Sequence, residues 1–188
     1  DRRVLIPRPE TETVTQHAIA EVERLGERVG HADPWAGAMT HYAVADLGTG
    51  SGAIGLSLAH ELPLDGTTVW ITDADVDALD VARANIAGLG RAGVNVRVAH
   101  GSWFDALPEE LCFDVIVSNP PYVAVDSPHL EAIVGDWEPH AALFAGPDGL
   151  DDLRRIIADA AHPSILSVPT RDEARAKHAG LAKGGEAV

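Results

Sequence analysis

The chain holds 188 residues but only one cysteine and one methionine. Cys112 alone cannot build a disulfide framework or a cysteine-ligated zinc site within the chain. Beside Phe113 it reads as a small core residue. No apolar run approaches the roughly 18 residues that a membrane span needs. The N-terminus also lacks the basic-then-apolar pattern of a secretory signal. Cations are scarce: Lys and Arg total 14 against 29 Asp and Glu, a net charge of −15 with neutral His. That field repels a nucleic-acid backbone unless a basic patch overrides it, and only Arg2, Arg3 and Arg8 form even a loose group. The expectation is a cytoplasmic, monomeric protein with no membrane partner and no stable nucleic-acid partner. With 46% hydrophobic residues, the length suits one globular domain. The chain starts at Asp1 and its one methionine is Met39, so a piece of a longer polypeptide is expected.

Pro7 and Pro9 predict an extended segment that feeds a helix at Glu10. Val14, Ala18, Val22, Leu25 and Val29 then recur on one helix face. Gly30 to Thr40 reads as a loop. Strands and helices alternate after it. His41–Leu47 is strand-like and ends in Gly48-Thr49-Gly50-Ser51-Gly52. Ala53–Leu62 is a helix stopped by Pro63. Thr67–Thr72 is rich in β-formers. Val76, Leu79, Ala82 and Ile86 mark a helix ending near Gly88 and Gly90. Val94, Val96 and Val98 alternate as a third strand. Asp114–Ser118 is a fourth, buried strand. Leu150, Leu153, Ile156 or Ile157, and Ala160 mark a further helix. This order implies a parallel, doubly wound α/β sheet. After about Ala161 the pattern fades: Pro163 and Pro169 interrupt it, residues 170–183 read as a polar helix, and the last strands of such a sheet are missing or altered. Three segments result: 1–40 as lead-in and lid, 41–161 as the core, and 162–188 as an atypical tail.

The turn at Asp46-Leu47-Gly48-Thr49-Gly50-Ser51-Gly52 joins a strand to a helix N-terminus. Glycines there allow positive φ and close backbone approach by a ligand. Gly48, Gly50 and Ala53 also fit a loose dinucleotide fingerprint, so a dinucleotide-dependent oxidoreductase must be weighed. Asp73 closes the second strand, where a carboxylate accepts both hydroxyl protons of a ribose. Its plainer role is a solvated acid or a helix cap, with Asp75 as rival.

Asn119-Pro120-Pro121-Tyr122 follows the fourth strand. In doubly wound sheets the first strand commonly neighbours the fourth, so this tetrapeptide is expected beside the glycine turn. It suits a planar NH2 group. The Asn119 side-chain oxygen accepts one hydrogen bond and the Pro120 carbonyl a second. Neither proline donates, and the residue before a proline is held extended. Tyr122 supplies a flat face. Two acceptors pull electron density along the N–H bonds of a weakly nucleophilic amide and aim its lone pair at an electrophile. A methyl sulfonium held in line fits, with catalysis by positioning and preorganised electrostatics.

On these residues the chain resembles the protein-(glutamine-N5) methyltransferases that modify peptide-chain release factors, the HemK or PrmC family. The resemblance runs from about Asp1 to Ala161. It rests on VLIPRPETE (4–12), DLGTGSGAIGLSLA (46–59), Asp73, GSWF (101–104), VSNPPYV (117–123) and EPHAALFAGPDGLDDLRRII (138–157). It implies a Rossmann-like class I methyltransferase that uses S-adenosylmethionine on the glutamine of a release factor's GGQ loop. By that analogy Asp46, Leu47, Gly48, Thr49, Gly50 and Gly52 contact the cofactor, Asp73 holds its ribose and Trp103 lies by its adenine. Asn119, Pro120, Pro121 and Tyr122 hold the glutamine, Asn119 also touches the cofactor, and Arg8 to Thr11 cover the site. The chain departs from the pattern at Ser102, where the family often has an acid, and in lacking the family's N-terminal helical domain. A methyltransferase for exocyclic amines of bases (adenine N6 or guanine N2) shares the tetrapeptide. A non-catalytic truncated fragment is the other alternative.

Other residues stay in ordinary roles. The nine histidines show no metal-ligand spacing. Trp70 reads as core. Trp137, Glu138 and Pro139 either shape a substrate mouth or pack a loop. Asp148, Asp151 and Asp152 read as capping and solvating a helix start.

Overall fold

The computed structural model describes residues 2–32, 41–109, 111–127 and 137–160. Helix α1 spans Pro9–Ala32. Proline at its first position lacks only an N–H that would have no partner there, and Glu10 and Glu12 in its first turn favour the helix dipole. It buries Ala18 and Val22, with Val14, Ile19 and Leu25 packed alongside. It runs two residues past Gly30, because one glycine costs a helix only about 1 kcal/mol.

Strands β1 (Tyr42–Leu47), β2 (Thr67–Asp73), β3 (Val96–His100) and β4 (Val115–Ser118) form a parallel sheet in the order β3-β2-β1-β4. Helices α2 (Ala53–Glu61), α3 (Val76–Gly88) and α4 (Asp151–Ala160) complete the described elements. The alternation expected from the sequence is therefore present, with boundaries within a residue or so. The third strand differs. Val94 lies in a 3-10 turn (Gly90–Asn95) and is 68% exposed, so the strand begins at Val96. Alternating valines could not separate a turn residue from a strand residue.

The sheet has a core on each face. Val44, Val69, Ile71 and Val117 face Ala18 and Val22 of α1, Ile54 and Leu58 of α2, and Ala82 of α3. Ala45 and Leu47 face the other way, with Ile156 of α4, Leu107, Trp70, Trp103 and Phe113. Helices on both faces make this a doubly wound, Rossmann-like α/β fold. Fully burying a side chain such as Leu58 contributes about 1.5–3 kcal/mol. Cys112 is only half-buried, while its neighbour Leu111 is buried. Among the described residues no helix is long and apolar enough to cross a membrane, and no cluster of His, Cys, Asp and Glu could hold a metal ion. The expected altered strands and the tail from 162 lie outside the described residues, as do residues 33–40 of the predicted loop.

Candidate active site

All the strands point their carboxyl ends to one edge, and the pairing brings particular ends together. Leu47 registers with Thr72 on one side and with Ser118 on the other. The Ser118 hydroxyl donates to the Leu47 carbonyl (2.7 Å), and Thr49 N–H donates to the Thr72 carbonyl (2.8 Å). The glycine turn, the end of β2 and Asn119 thus share one rim. A cavity of about 740 Å³ opens there, within the range of small-molecule sites.

Gly48, Thr49, Gly50, Asp73, Trp103, Asn119, Pro120 and Pro121 all line this cavity. Gly48 and Gly50 hold φ of 68° and 56°, which only glycine adopts without cost. Nothing stands within 4 Å of where a Cβ on Gly50 would lie, so this wall is open to a ligand. The Asp73 carboxylate is fixed at both oxygens. Oδ2 accepts from Gly50 N–H (2.8 Å) and Oδ1 from Asp75 N–H (2.9 Å). A carboxylate has about four acceptor positions, so two remain for a ribose. Asp75, the rival cap, is the residue that caps α3, accepting from Asp77 N–H (2.8 Å).

Four expected site residues do not line the cavity. Leu47 is fully buried in the core beneath the sheet edge. Gly52 lies against Leu56, whose Cδ1 would stand 2.8 Å from an added Cβ. Tyr122 is 67% exposed, next to the cavity-lining Pro121.

Asp46 is 1% exposed and sits behind the glycine turn. Strand alternation puts it on the Val44 face, under α2. Its Oδ2 accepts from the Thr49 hydroxyl (2.6 Å) and Gly55 N–H (2.9 Å), while its Oδ1 is buried without a partner among the described residues. Burial raises its pKa from 3.8 to about 6, with those two hydrogen bonds opposing and nearby Asp73 adding to the rise. Asp46 therefore acts on the pocket through the turn it braces.

The cover also differs from expectation. Arg3, Val4, Leu5, Pro7 and Thr11 line the cavity, whereas Arg8, Pro9 and Glu10 do not. Arg8 instead pairs with Glu138 (2.8 Å), a carboxylate only 8% exposed whose other oxygen has no partner among the described residues. Arg2 stacks over Trp137 at 3.7 Å. The same stretch supplies Pro139, Ala141 and Ala142 to the cavity wall. Glu138 and Trp137 thus tie the N-terminal segment to the loop behind the tetrapeptide. Asp152 lines the cavity as well, a placement that helix spacing could not distinguish from the neighbouring acids.

A cradle of glycines, an anchored strand-end carboxylate and a flat Trp103 fit a nucleoside-bearing cofactor. Residues 36–134 match the family described as Methyltransferase small domain. The chain belongs to that family. It is 44% identical over 156 residues to a release factor glutamine methyltransferase of Xylella fastidiosa (strain Temecula1), covering 83% of this chain and 50% of that protein. With the protein of the same name from Burkholderia pseudomallei (strain K96243), identity is 43% over 160 residues, covering 84% and 50%. The chain spans about half the length of the curated relatives it matches. Among solved structures, the hMettl16 catalytic domain in complex with a MAT2A 3′UTR hairpin aligns with TM-score 0.56 at 22% identity, covering 85% of this chain and 54% of that one. The N-terminal domain of human METTL16 in complex with SAH gives TM-score 0.52 at 24%, covering 84% and 52%. At such identities the likeness is one of fold, and it places this member of the small methyltransferase family on the class I architecture.

Proposed function

We propose that this chain methylates the side-chain amide nitrogen of the glutamine in the GGQ motif of a peptide chain release factor, with S-adenosylmethionine as donor. The observation that carries the reading is the meeting of Asn119 and Pro120 with Gly48, Gly50 and Asp73 around one cavity. The 44% identity to a release factor glutamine methyltransferase supports the substrate. The anchored Asp73 carboxylate supports a ribose, and the open wall at Gly50 supports a close backbone approach.

S-adenosylmethionine supplies an electrophilic methyl on a sulfonium sulfur. The protein's own part is to place the amide nitrogen in line with it. Asn119 Oδ1 accepts one N–H of the glutamine amide and the Pro120 carbonyl accepts the other. Both acceptors hold the nitrogen pyramidal, with its lone pair aimed into the pocket and away from the amide π-system. The nitrogen gains the methyl and loses one proton to solvent, so no strong base is needed. Pro121 and Pro139 add apolar wall, and the segment over residues 3–7 excludes water.

A protein substrate in the cytoplasm also suits the charge. At −15 the chain favours a protein loop over a phosphate backbone. The test is incubation with S-adenosylmethionine and a purified release factor, followed by mass spectrometry of the GGQ peptide. One methyl on the glutamine nitrogen is expected, lost by roughly a hundredfold or more in Asn119→Ala. Methylation of an RNA or DNA amine, with none on the release factor, overturns the substrate assignment. An oxidoreductase leaves Asn119 and the prolines without a task.

A further inference from the structure

The family resemblance puts the cofactor's adenine beside Trp103. Ser102 occupies the position where an acid is common, directly before the cavity-lining Trp103. Trp103 itself holds φ of 51°, a left-handed conformation that a bulky residue adopts at a cost and that clusters at functional sites. Its ring edge would lie 3.0 Å from a Cβ on Gly48, so it packs against the glycine turn at the cavity wall.

Helix α4 brings a carboxylate to the same cavity, and its Arg155 reaches Ser102. Three acids cluster at its start. Asp148 and Asp151 are both taken by Arg154 (2.6 and 3.4 Å). The Asp152 side chain has no hydrogen-bond or ion-pair partner among the described residues, and it lines the cavity. Arg155, one residue after Arg154, donates to Ser102 Oγ (3.2 Å) and to Asp105 (2.7 Å) and sits 3.6 Å from Asp159. Two consequences follow. The Arg155 charge is balanced by Asp105 and Asp159 rather than by Asp152. The Arg155 N–H also occupies a lone pair of the Ser102 hydroxyl, leaving its O–H proton free to be donated.

We propose that Asp152 and Ser102 read the amino edge of the cofactor's adenine ring, Asp152 as acceptor and Ser102 as donor, with Arg155 as the positioning residue behind Ser102. An aminopurine offers an exocyclic N–H beside a ring nitrogen that accepts. An acceptor paired with a donor matches it, whereas a 6-oxopurine reverses both roles. The inference rests on the methyl-donor reading above and names two specificity residues within that site.

The test is titration calorimetry on the full chain with S-adenosylhomocysteine and S-inosylhomocysteine. Wild type should prefer the adenosyl compound by about tenfold or more, the scale of a lost charged hydrogen bond. Asp152→Ala should lose about tenfold on the adenosyl compound and stay within about twofold on the inosyl one. Ser102→Ala should shift the preference the same way by less, and retained inosyl binding certifies the fold of each variant. Equal losses on both compounds would place Asp152 at the amino acid end of the cofactor and overturn the inference. So would an unchanged preference in both variants. Wild type that binds neither compound refutes the methyl-donor reading itself, which separates the two failures.

Discussion

Replacing Asp46 with asparagine removes a carboxylate that the fold holds in an unfavourable state at neutral pH. Burial is the main cause of its raised pKa, and Asp73 adds to it; the Thr49 hydroxyl and Gly55 N–H pull the other way and do not win. A folded-state value near 6 against 3.8 means that folding favours the protonated form. Stability from this group is therefore complete below about pH 4, falls as pH rises through 4 to 6, and is absent above. The limit is about 3 kcal/mol, from two pH units at roughly 1.4 kcal/mol each. Between about pH 4 and pH 7 roughly 2 kcal/mol of it is traversed. Exposed pairs such as Asp148 with Arg154 titrate in the opposite sense, since that carboxyl is held below its ordinary value by the arginine hydrogen bond. The informative quantity is therefore the difference between wild type and Asp46→Asn in urea unfolding, from which Asp148 cancels. Wild type should lose roughly 2 kcal/mol relative to the variant between about pH 4 and pH 7. A difference flat across that window refutes the argument that desolvation dominates at Asp46, and the carboxyl carbon resonance of Asp46 checks the titration directly.

Arg8→Ala leaves Glu138 buried with neither oxygen paired among the described residues, so it should cost about 1–3 kcal/mol in unfolding free energy, more than Glu138→Gln, which buries no charge. Gly55→Ala should destabilise by about 1–3 kcal/mol despite the better helix propensity of alanine, because the new Cβ meets Ile71 Cγ2 and lies 3.0 Å from Asp46 Oδ2. Gly50→Ala has open space, so it should lose only about 1 kcal/mol of stability, from its φ of 56°, while calorimetry should show S-adenosylhomocysteine binding reduced more than fivefold. Thermal or urea melts decide the stability orders.

Sequence patterning located the sheet because a parallel strand needs a short apolar run and the intervening helices carry their own spacing. It located the rim residues Asp73, Gly48, Gly50 and Asn119 for the same reason: each sits where a strand ends, and parallel strands all end on one side. It failed where position along the chain does not determine direction in space. Asp46 stands in the turn motif, yet pleat alternation turns it under α2. Tyr122 continues the tetrapeptide but is largely exposed and is not part of the cavity wall. Asp152 is one of three acids at a helix start, and only the rotation of α4 on the sheet separates it from Asp148 and Asp151. The Arg8 to Glu138 pair spans 130 residues, and no local spacing announces a contact of that range.

The braces of the glycine turn share a physical logic. Gly50 N–H is drawn to Asp73 and Thr49 Oγ1 to Asp46, so two carboxylates hold adjacent residues of one turn from opposite sides. A cradle made only of glycines would be loose, because glycine loses the most freedom on ordering. Fixing the turn through its neighbours moves that entropy loss from ligand binding to folding, so the cavity wall is ordered before a ligand arrives. The raised pKa of Asp46 is then the electrostatic consequence of placing one brace where water cannot reach. Moving that carboxylate to the surface would relieve the penalty and release the turn. Stability and pocket order should therefore respond in opposite directions to Asp46→Asn at neutral pH: the variant melts later, yet binds S-adenosylhomocysteine less tightly. A variant that gained stability and bound as tightly as wild type would show that the turn needs no charged brace.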